Sequence, residues 1–411
     1  MLLNRIQPKI EKVLRKNQNG FRTNRSTTGQ ILTMRRILEG VRAKNLEAVL
    51  LFVDFSKAFD SVHRGKIASI LDSYGIPKPI IDATMMLYRG TQAIVRSPDG
   101  DTTPFSISAG VLQGDTLAPF LFILCLDYVL RTSIDLQKEL GFTLTKLRSR
   151  RHPAITLTDA DYADDIALFA DNPEDAEKLL HLLEISAANI GLHVNSKKTE
   201  FMTLNTDGTI KTINQTPLKK VQEFNYLGSN IASSEKDVDV RIAKGWAALD
   251  KLKIIWKSNL SDNTKRDFFR ATVESVLIYG APTWTLTKAL LSRLDGTYTR
   301  MLRVVLDISW REHPTRQRLY GKLPLLSNTI VNSRMRFAGH CFRSQDELVS
   351  QLLTWQPTHG KSNVGRPHKT YPQQLVEDVG CHNINELKTL MLYRDEWRER
   401  TRLVRVIDPI V

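Results

Sequence analysis

Apolar residues recur with two different spacings along the chain, and the change from one to the other divides it. Up to about residue 235, short runs suited to strands alternate with helical patterns. The first segment reads as helix from Leu2 to Leu14, followed by a polar loop, QNGFRTNRST. A second helix is predicted from about Thr27 to Ala43, with Ile31, Met34, Ile37, Leu38 and Val41 on one face. Glu47 to Phe55 (EAVLLFVDF) is a short run of strand formers, fitting a buried strand that ends at Asp54. Ile67, Ile70, Leu71 and Tyr74 keep helical spacing, and Gly75 with Pro77 closes that helix. Two strands around SPDGD, an apolar helix to about Leu130, and a strand, turn and strand from Ile155 to Ala170 follow.

The strongest helix signal begins at Asn172, an N-cap with Pro173 at the first position and Asp175 three residues on. Leu179, Leu180, Leu182, Leu183 and Ile190 make its apolar stripe, and Gly191 ends it. The resulting order is strand, helix, hairpin, helix, strand, an α+β arrangement. Beyond Tyr226 the pattern becomes almost wholly helical, with amphipathic stretches at 236–257, 262–280 and 287–307. A subdomain boundary is therefore expected near residue 235.

Composition narrows the class. A chain of 411 residues exceeds what one hydrophobic core usually organises, and 42% apolar with 25% charged residues is ordinary globular material. Cys125, Cys341 and Cys381 are odd in number, far apart and without a CxxC pair, which points to a reducing intracellular compartment. The longest apolar run, Leu117 to Leu126, is too short for a bilayer and contains Pro119; MLLNRIQPKI reads as neither signal peptide nor anchor, so no membrane association is expected. The net charge of +14 is unevenly spread. Residues 1–45 carry 11 basic and 2 acidic side chains, residues 46–235 carry 18 and 24, and residues 236–411 carry 29 and 18. Basic flanks around an acidic centre fit a polyanion that is held by the flanks and reaches the centre only with cations present. Charge solvated on a basic surface accounts for the same totals.

The acidic centre carries the candidate chemistry. Asp54 closes one predicted strand, and Asp164 with Asp165 lies in the YADD turn about a hundred residues later. If these strands are neighbours, their carboxylates meet on one edge, where like charges resist joint ionisation. Mg²⁺ prefers carboxylate oxygens combined with substrate phosphates, and two such ions about 4 Å apart can activate a hydroxyl and stabilise a leaving oxygen. Taken singly, an Asp at a strand end or a DD in a turn is more often a cap or a solvated turn residue.

The set changes that balance. VDFSKAFD, GVLQGDTLAP, YADDIALFAD, GLHVNSKKTE and FNYLG occur in this order, and together they resemble the reverse transcriptase domain of non-LTR (LINE-type) retrotransposons over nearly the whole chain, from about Asn4. The resemblance implies a right-hand polymerase: partial fingers at 1–45, an α+β palm at 46–205 with a fingers insertion at about 64–110, a primer-grip hairpin at 206–235, and a helical thumb with a basic C-terminal region at 236–411. It implies an RNA-directed DNA polymerase that adds dNTPs to a DNA primer on an RNA template, using two Mg²⁺ ions, or Mn²⁺ in their place, at nuclear targets. On it, Asp54 and Asp164 hold the metals with Asp165 in support. Lys198 lies near the pyrophosphate as a proton donor. Phe55, Phe59, Gln113 and Gly114 face the nucleotide, with Phe59 as the gate against a 2′-hydroxyl. Arg22, Arg25, Phe224, Tyr226, Leu227, Gly228, Arg366 and Lys369 contact nucleic acid.

Departures from the family pattern are mild at Leu112, Asp115 and Ala118. A further fingers strand usually stands before NRIQP, and an endonuclease domain usually accompanies such enzymes; neither is in this chain. The alternative expectation is therefore an inactive nucleic-acid-binding remnant of such an element. His340, Cys341, His359, His368, Cys381 and His382 lack zinc-ligand spacing and read as unliganded, while KSNVGRPHKTY reads as a phosphate-contacting segment. Trp246, Trp256, Trp284 and Trp310 read as packing residues.

Overall fold

The computed structural model describes residues 1–344, 347–362, 365 and 368–403. Two compact units result, one made of residues 1–30, 41–222 and 357–363, the other of residues 31–40, 223–356 and 364–411. The break near 222 puts the FNYLG segment with the helical unit. No helix among the described residues is long and apolar enough to cross a membrane.

The first unit is built on a five-stranded sheet. Its strands are β1 (Ala48–Val53), β2 (Asp159–Tyr162), β3 (Asp165–Ala170), β4 (Glu200–Leu204) and β5 (Lys219–Lys220), in the spatial order β5, β4, β1, β3, β2. Strand β1 is central and antiparallel to both neighbours. Every residue of AVLLFV is buried, which is why it reads as a continuous apolar run and not as an alternating one. The register pairs Val49 with Ala170, Leu51 with Leu168 and Val53 with Ile166. All six side chains belong to the core shared with the helices Ala118–Ser133 and Pro173–Ala188.

Those helices form where the sequence pattern expects them. In Pro173–Ala188 the Asn172 side chain accepts the Asp175 N–H at 2.9 Å, and Ala176, Leu179, Leu180, Leu183 and Ala187 recur at helical spacing on the buried face. Helix Ala118–Ser133 is apolar nearly all round because most of its surface is enclosed. The predicted helix over 2–14 is shorter, Leu2–Ile10, and the chain then turns so that Arg15 enters the interior.

The second unit is helical apart from a hairpin, Asn225–Tyr226 with Ser229–Asn230. The stretch predicted as one helix over 262–280 contains a π-helical segment, Arg270–Glu274, between Asp262–Phe269 and Ser275–Leu277. Glu274 there accepts a buried hydrogen bond from Tyr298 Oη at 2.6 Å, a polar pairing that apolar periodicity cannot reveal. Trp256 and Trp284 are buried and Trp246 packs against their core, as expected. Trp310 is not a packing residue: it is 78% exposed, with the Arg311 guanidinium 5.3 Å from its ring centre.

Candidate active site

Strand order brings the acidic positions together. Asp54 directly follows β1, and the β1/β3 register, which ends at Val53 opposite Ile166, puts it beside Asp165. The β2/β3 hairpin closes with Tyr162 opposite Asp165, leaving Ala163 and Asp164 as its turn. Ala163 adopts φ +54, a left-handed conformation that tightens this turn. Asp54 is fixed by a loop from the far side: its N–H donates to Thr199 Oγ1 at 3.2 Å, and its carbonyl accepts the Asn195 N–H at 2.8 Å. The same loop carries Lys198, whose Nζ lies 3.8 Å from Asp54 Oδ2 on a side chain 70% exposed.

The carboxylates feel one another. Partial burial and the charge of Asp54 raise the Asp164 pKa, against the lowering effect of its own backbone N–H. Asp165 is pushed up to about 6 by loss of solvent, then by the charges of Asp164 and Asp54. Asp54 Oδ2 is buried and has no hydrogen-bond partner. Together these features describe a site short of positive charge. Among the described residues no three His, Cys, Asp or Glu side chains are drawn together as a complete ligand set.

The residues expected to face a nucleotide lie along the next turn. Phe59 is half-buried, its ring stacked on Phe122 (centroids 4.4 Å apart, 18° between planes) and edge-on to Phe21. The loop carrying Gln113 and Gly114 is tied to this turn. Val111 N–H donates to the Phe59 carbonyl at 2.8 Å, Gly110 N–H to the Val62 carbonyl at 2.8 Å, and Gln113 Nε2 to Asp60 Oδ1 at 2.9 Å. Gly110 is required here: its φ is +81, and a Cβ would meet the Asp60 Cα at 2.6 Å. Phe55, by contrast, is buried and paired with Val194 as an isolated bridge, so its side chain packs the core and does not face a nucleotide.

A second group of aspartates lies on the same hairpin. Asp159 and Asp161 are fully buried and converge on Arg15, at 2.7 Å and 3.0 Å. Asp135 joins them 2.9 Å from Arg15 Nη2, and Asp127 accepts the Arg15 backbone N–H at 2.7 Å. Burial alone would raise Asp159, but Arg15 outweighs it and holds that carboxyl below the usual range. Burial and the Asp159 charge push Asp161 well up. The sequence pattern does not flag Arg15, because its partners lie more than a hundred residues away; the alternation in DADY, which puts Asp159 and Asp161 on one face, is the available signal.

With the geometry established, comparison with known proteins decides the family. A family model described as reverse transcriptase (RNA-dependent DNA polymerase) matches residues 1–231. The chain belongs to this family. Its relatives are proteins of non-LTR retrotransposons. The chain is 33% identical over 187 residues to a Pol polyprotein from the type-2 retrotransposable element R2DM of Drosophila melanogaster, covering 46% of the chain and 16% of that protein. It is 25% identical over 313 residues to a Pol polyprotein from a type-1 element R2 of Popillia japonica, covering 72% and 41%. A transposon-derived protein of Caenorhabditis elegans is 26% identical over 261 residues, covering 59% of the chain and 94% of the relative. The chain thus spans nearly all of the nematode protein and less than half of either polyprotein. Among solved structures, telomerase from Candida tropicalis with a fragment of telomeric RNA is similar at 13% identity and a TM-score of 0.39, covering 86% of this chain and 56% of that one.

Several residues expected to contact nucleic acid are engaged within the chain itself. Arg22 has a side chain 5% exposed and donates to Glu11 Oε1 at 2.7 Å and to the carbonyls of Glu11, Arg15 and Gln18. Its fork braces the 11–22 segment and is not presented to a template. Arg25 donates to Asn19 Oδ1 at 2.9 Å and to the Lys16 carbonyl, bracing the same loop. In FNYLG, Tyr226 is buried, so its ring makes no surface contact, while Phe224 is half-buried. Leu227 and Gly228 form a turn with φ of +48 and +76, as a tight hairpin requires. Their carbonyls accept from Tyr279 Oη at 2.8 Å and from Arg241. Lys369 is paired with Glu377, and Arg366 lies outside the described residues.

Proposed function

We propose that this chain extends the 3′-hydroxyl of a DNA primer with dNTPs along an RNA template, at a centre formed by Asp54, Asp164 and Asp165. The observation that carries the reading is the strand register that sets positions 54, 164 and 165 side by side at one sheet edge, where their charges act on one another, with a buried Asp54 oxygen that has no hydrogen-bond partner. Members of the family use divalent metal ions, and Asp54 and Asp164 would hold two of them here. Bound at that edge, such ions would lower the pKa of the primer hydroxyl and neutralise charge on the transferred phosphoryl group.

The chain's own residues do the rest. The backbone at these carboxylates is held because β1 pairs with β3, β3 with β2, and Asp54 is hydrogen-bonded to the 195–199 loop. Phe59, braced by Phe122 and Phe21, presents a rigid aromatic edge against which a deoxyribose fits and a 2′-hydroxyl does not. Gly114 leaves open space beside it, allowing backbone to approach the nucleotide. Lys198, long and largely exposed, can swing from Asp54 to donate a proton to departing pyrophosphate. Copying RNA at chromosomal targets would make the nucleus its site of action.

The test is primer extension on an RNA template with dNTPs and Mg²⁺. The native chain extends the primer, and Asp164→Asn loses on the order of 10²-fold or more of the rate. Phe59→Ala admits ribonucleotides that the native chain rejects. Retained hybrid binding with no extension under Mg²⁺ or Mn²⁺ would leave a nucleic-acid-binding role in place of the enzyme.

A further inference from the structure

The turn that carries Asp164 is held from beneath by one buried side chain. Gln18 is 1% exposed. Its Oε1 accepts two backbone N–H groups, from Ala163 at 2.9 Å and from Gly20 at 2.7 Å, and its Nε2 makes a longer bond, 3.4 Å, to the Ala163 carbonyl. One amide therefore engages both main-chain groups of the residue immediately before Asp164. The flanking backbone continues the attachment. Asn19 N–H donates to the Asp161 carbonyl at 2.9 Å, Asp161 N–H to the Asn17 carbonyl at 3.0 Å, and Gln30 Nε2 to the same Asp161 carbonyl at 2.7 Å. Gly20 closes on the turn so tightly that a Cβ would lie 2.2 Å from the Ala163 nitrogen.

We infer that Gln18 is a positioning residue for nucleotidyl transfer: it holds the left-handed Ala163 so that the Asp164 carboxylate stays aimed at the edge it shares with Asp54. The physical need is specific. A two-residue turn with φ +54 at an alanine is strained, and its N–H is buried, so without an acceptor the turn would rearrange to find one. Gln18 supplies that acceptor and, through Gly20, ties the turn to its own backbone. An error of about 1 Å in the position of a reacting group can cost on the order of 10²-fold in rate. The inference rests on the reading of Asp164 as a metal-holding carboxylate, and its test is built to separate the two.

The experiment compares the full native chain with Gln18→Met, which fills the same space without an acceptor, with Gln18→Glu, which retains one, and with Asp164→Asn. Two readouts are taken: amide hydrogen exchange across residues 160–166, and primer extension as a function of dNTP at saturating hybrid and Mg²⁺. Gln18→Met is expected to speed exchange in the hairpin while the rest of the sheet stays protected. It should lower kcat by roughly 10- to 100-fold with the dNTP KM within about twofold of native, and Gln18→Glu should recover most of the loss. Native kcat in Gln18→Met overturns the inference. So does a loss in which exchange rises throughout the unit and activity falls only with the folded fraction. Should Asp164→Asn match the native chain, or neither extend primers, the polymerase reading fails, and the exchange readout still decides the clamp: unchanged hairpin protection in Gln18→Met overturns it.

Discussion

Two groups of aspartates lie within seven residues of one another on the β2/β3 hairpin, and the chain treats them in opposite ways. Asp159 and Asp161 point inward with Asp135 and are met by a guanidinium of the chain's own, Arg15, at 2.7 to 3.0 Å. Asp164, in the turn, and Asp165, just after it, lie beside Asp54, whose nearby ammonium stands 3.8 Å away on a largely exposed side chain. Where buried charge serves the fold, the countercharge is supplied internally and fixed by a planar fork. At the proposed catalytic edge the internal countercharge shown is one ammonium on an exposed side chain, and on that proposal cations from solution would complete it. The difference separates a structural carboxylate from a working one more sharply than its burial or its neighbours in sequence.

The largest effect should come from breaking the internal pair. Arg15→Met leaves buried carboxylates without their cation, and its cost should reach about 3–5 kcal/mol, read as a lowered denaturation midpoint or loss of soluble protein. An unchanged midpoint would show that the two groups do not differ in kind. Next is the response to divalent ions. At pH 7.5, Mg²⁺ or Mn²⁺ in ten- to hundredfold excess over its Kd should stabilise the native chain by about 1–3 kcal/mol, and Asp54→Asn should abolish the gain. At pH 5 protons compete for the same carboxylates and the gain should shrink.

A smaller effect tests repulsion at the edge. Asp165 titrates near 6 in the fold, above the value of a free carboxyl, so its ionisation opposes folding. The cost is absent below about pH 3, where both folded and unfolded chains hold the proton, grows as pH rises through the unfolded value, and is complete above about pH 7. Asp165→Asn should therefore stabilise the ion-free chain at pH 7.5, by about 1 kcal/mol once solvent screening is allowed for, and leave it unchanged near pH 3. The smallest effect should be that of Lys198→Met on stability, below about 0.5 kcal/mol by thermal melting, since an exposed pair at 3.8 Å contributes little.

Much of this was readable from local pattern. β1 announced itself because a strand buried on both faces has no polar alternation, and the capped helix after Asn172 was legible because its cap, proline and stripe are all within one segment. The carboxylate edge followed from two strand ends and the order of motifs around them. What could not be read were partnerships at long range. In DADYADD nothing local marks Asp159 and Asp161 as the pair held by a guanidinium; that is decided by Arg15, 144 and 146 residues away. For the same reason Arg22 looked like a template contact, although four hydrogen bonds turn it inward. Tyr226 looked available in FNYLG, yet hairpin pairing buries it. Trp310 erred the other way, since helical surroundings in sequence did not enclose it.

The most direct test counts the ions. Mn²⁺ bound to the native chain, with an RNA/DNA hybrid whose primer lacks a 3′-hydroxyl and a matching dNTP, can be titrated by electron paramagnetic resonance. The account predicts about two tightly held ions per chain, as two-metal transfer requires, and their loss in the Asp54→Asn, Asp164→Asn double variant while Arg15 still holds the fold together. Equal ion binding by native and double-variant chains, or none by either, would contradict it.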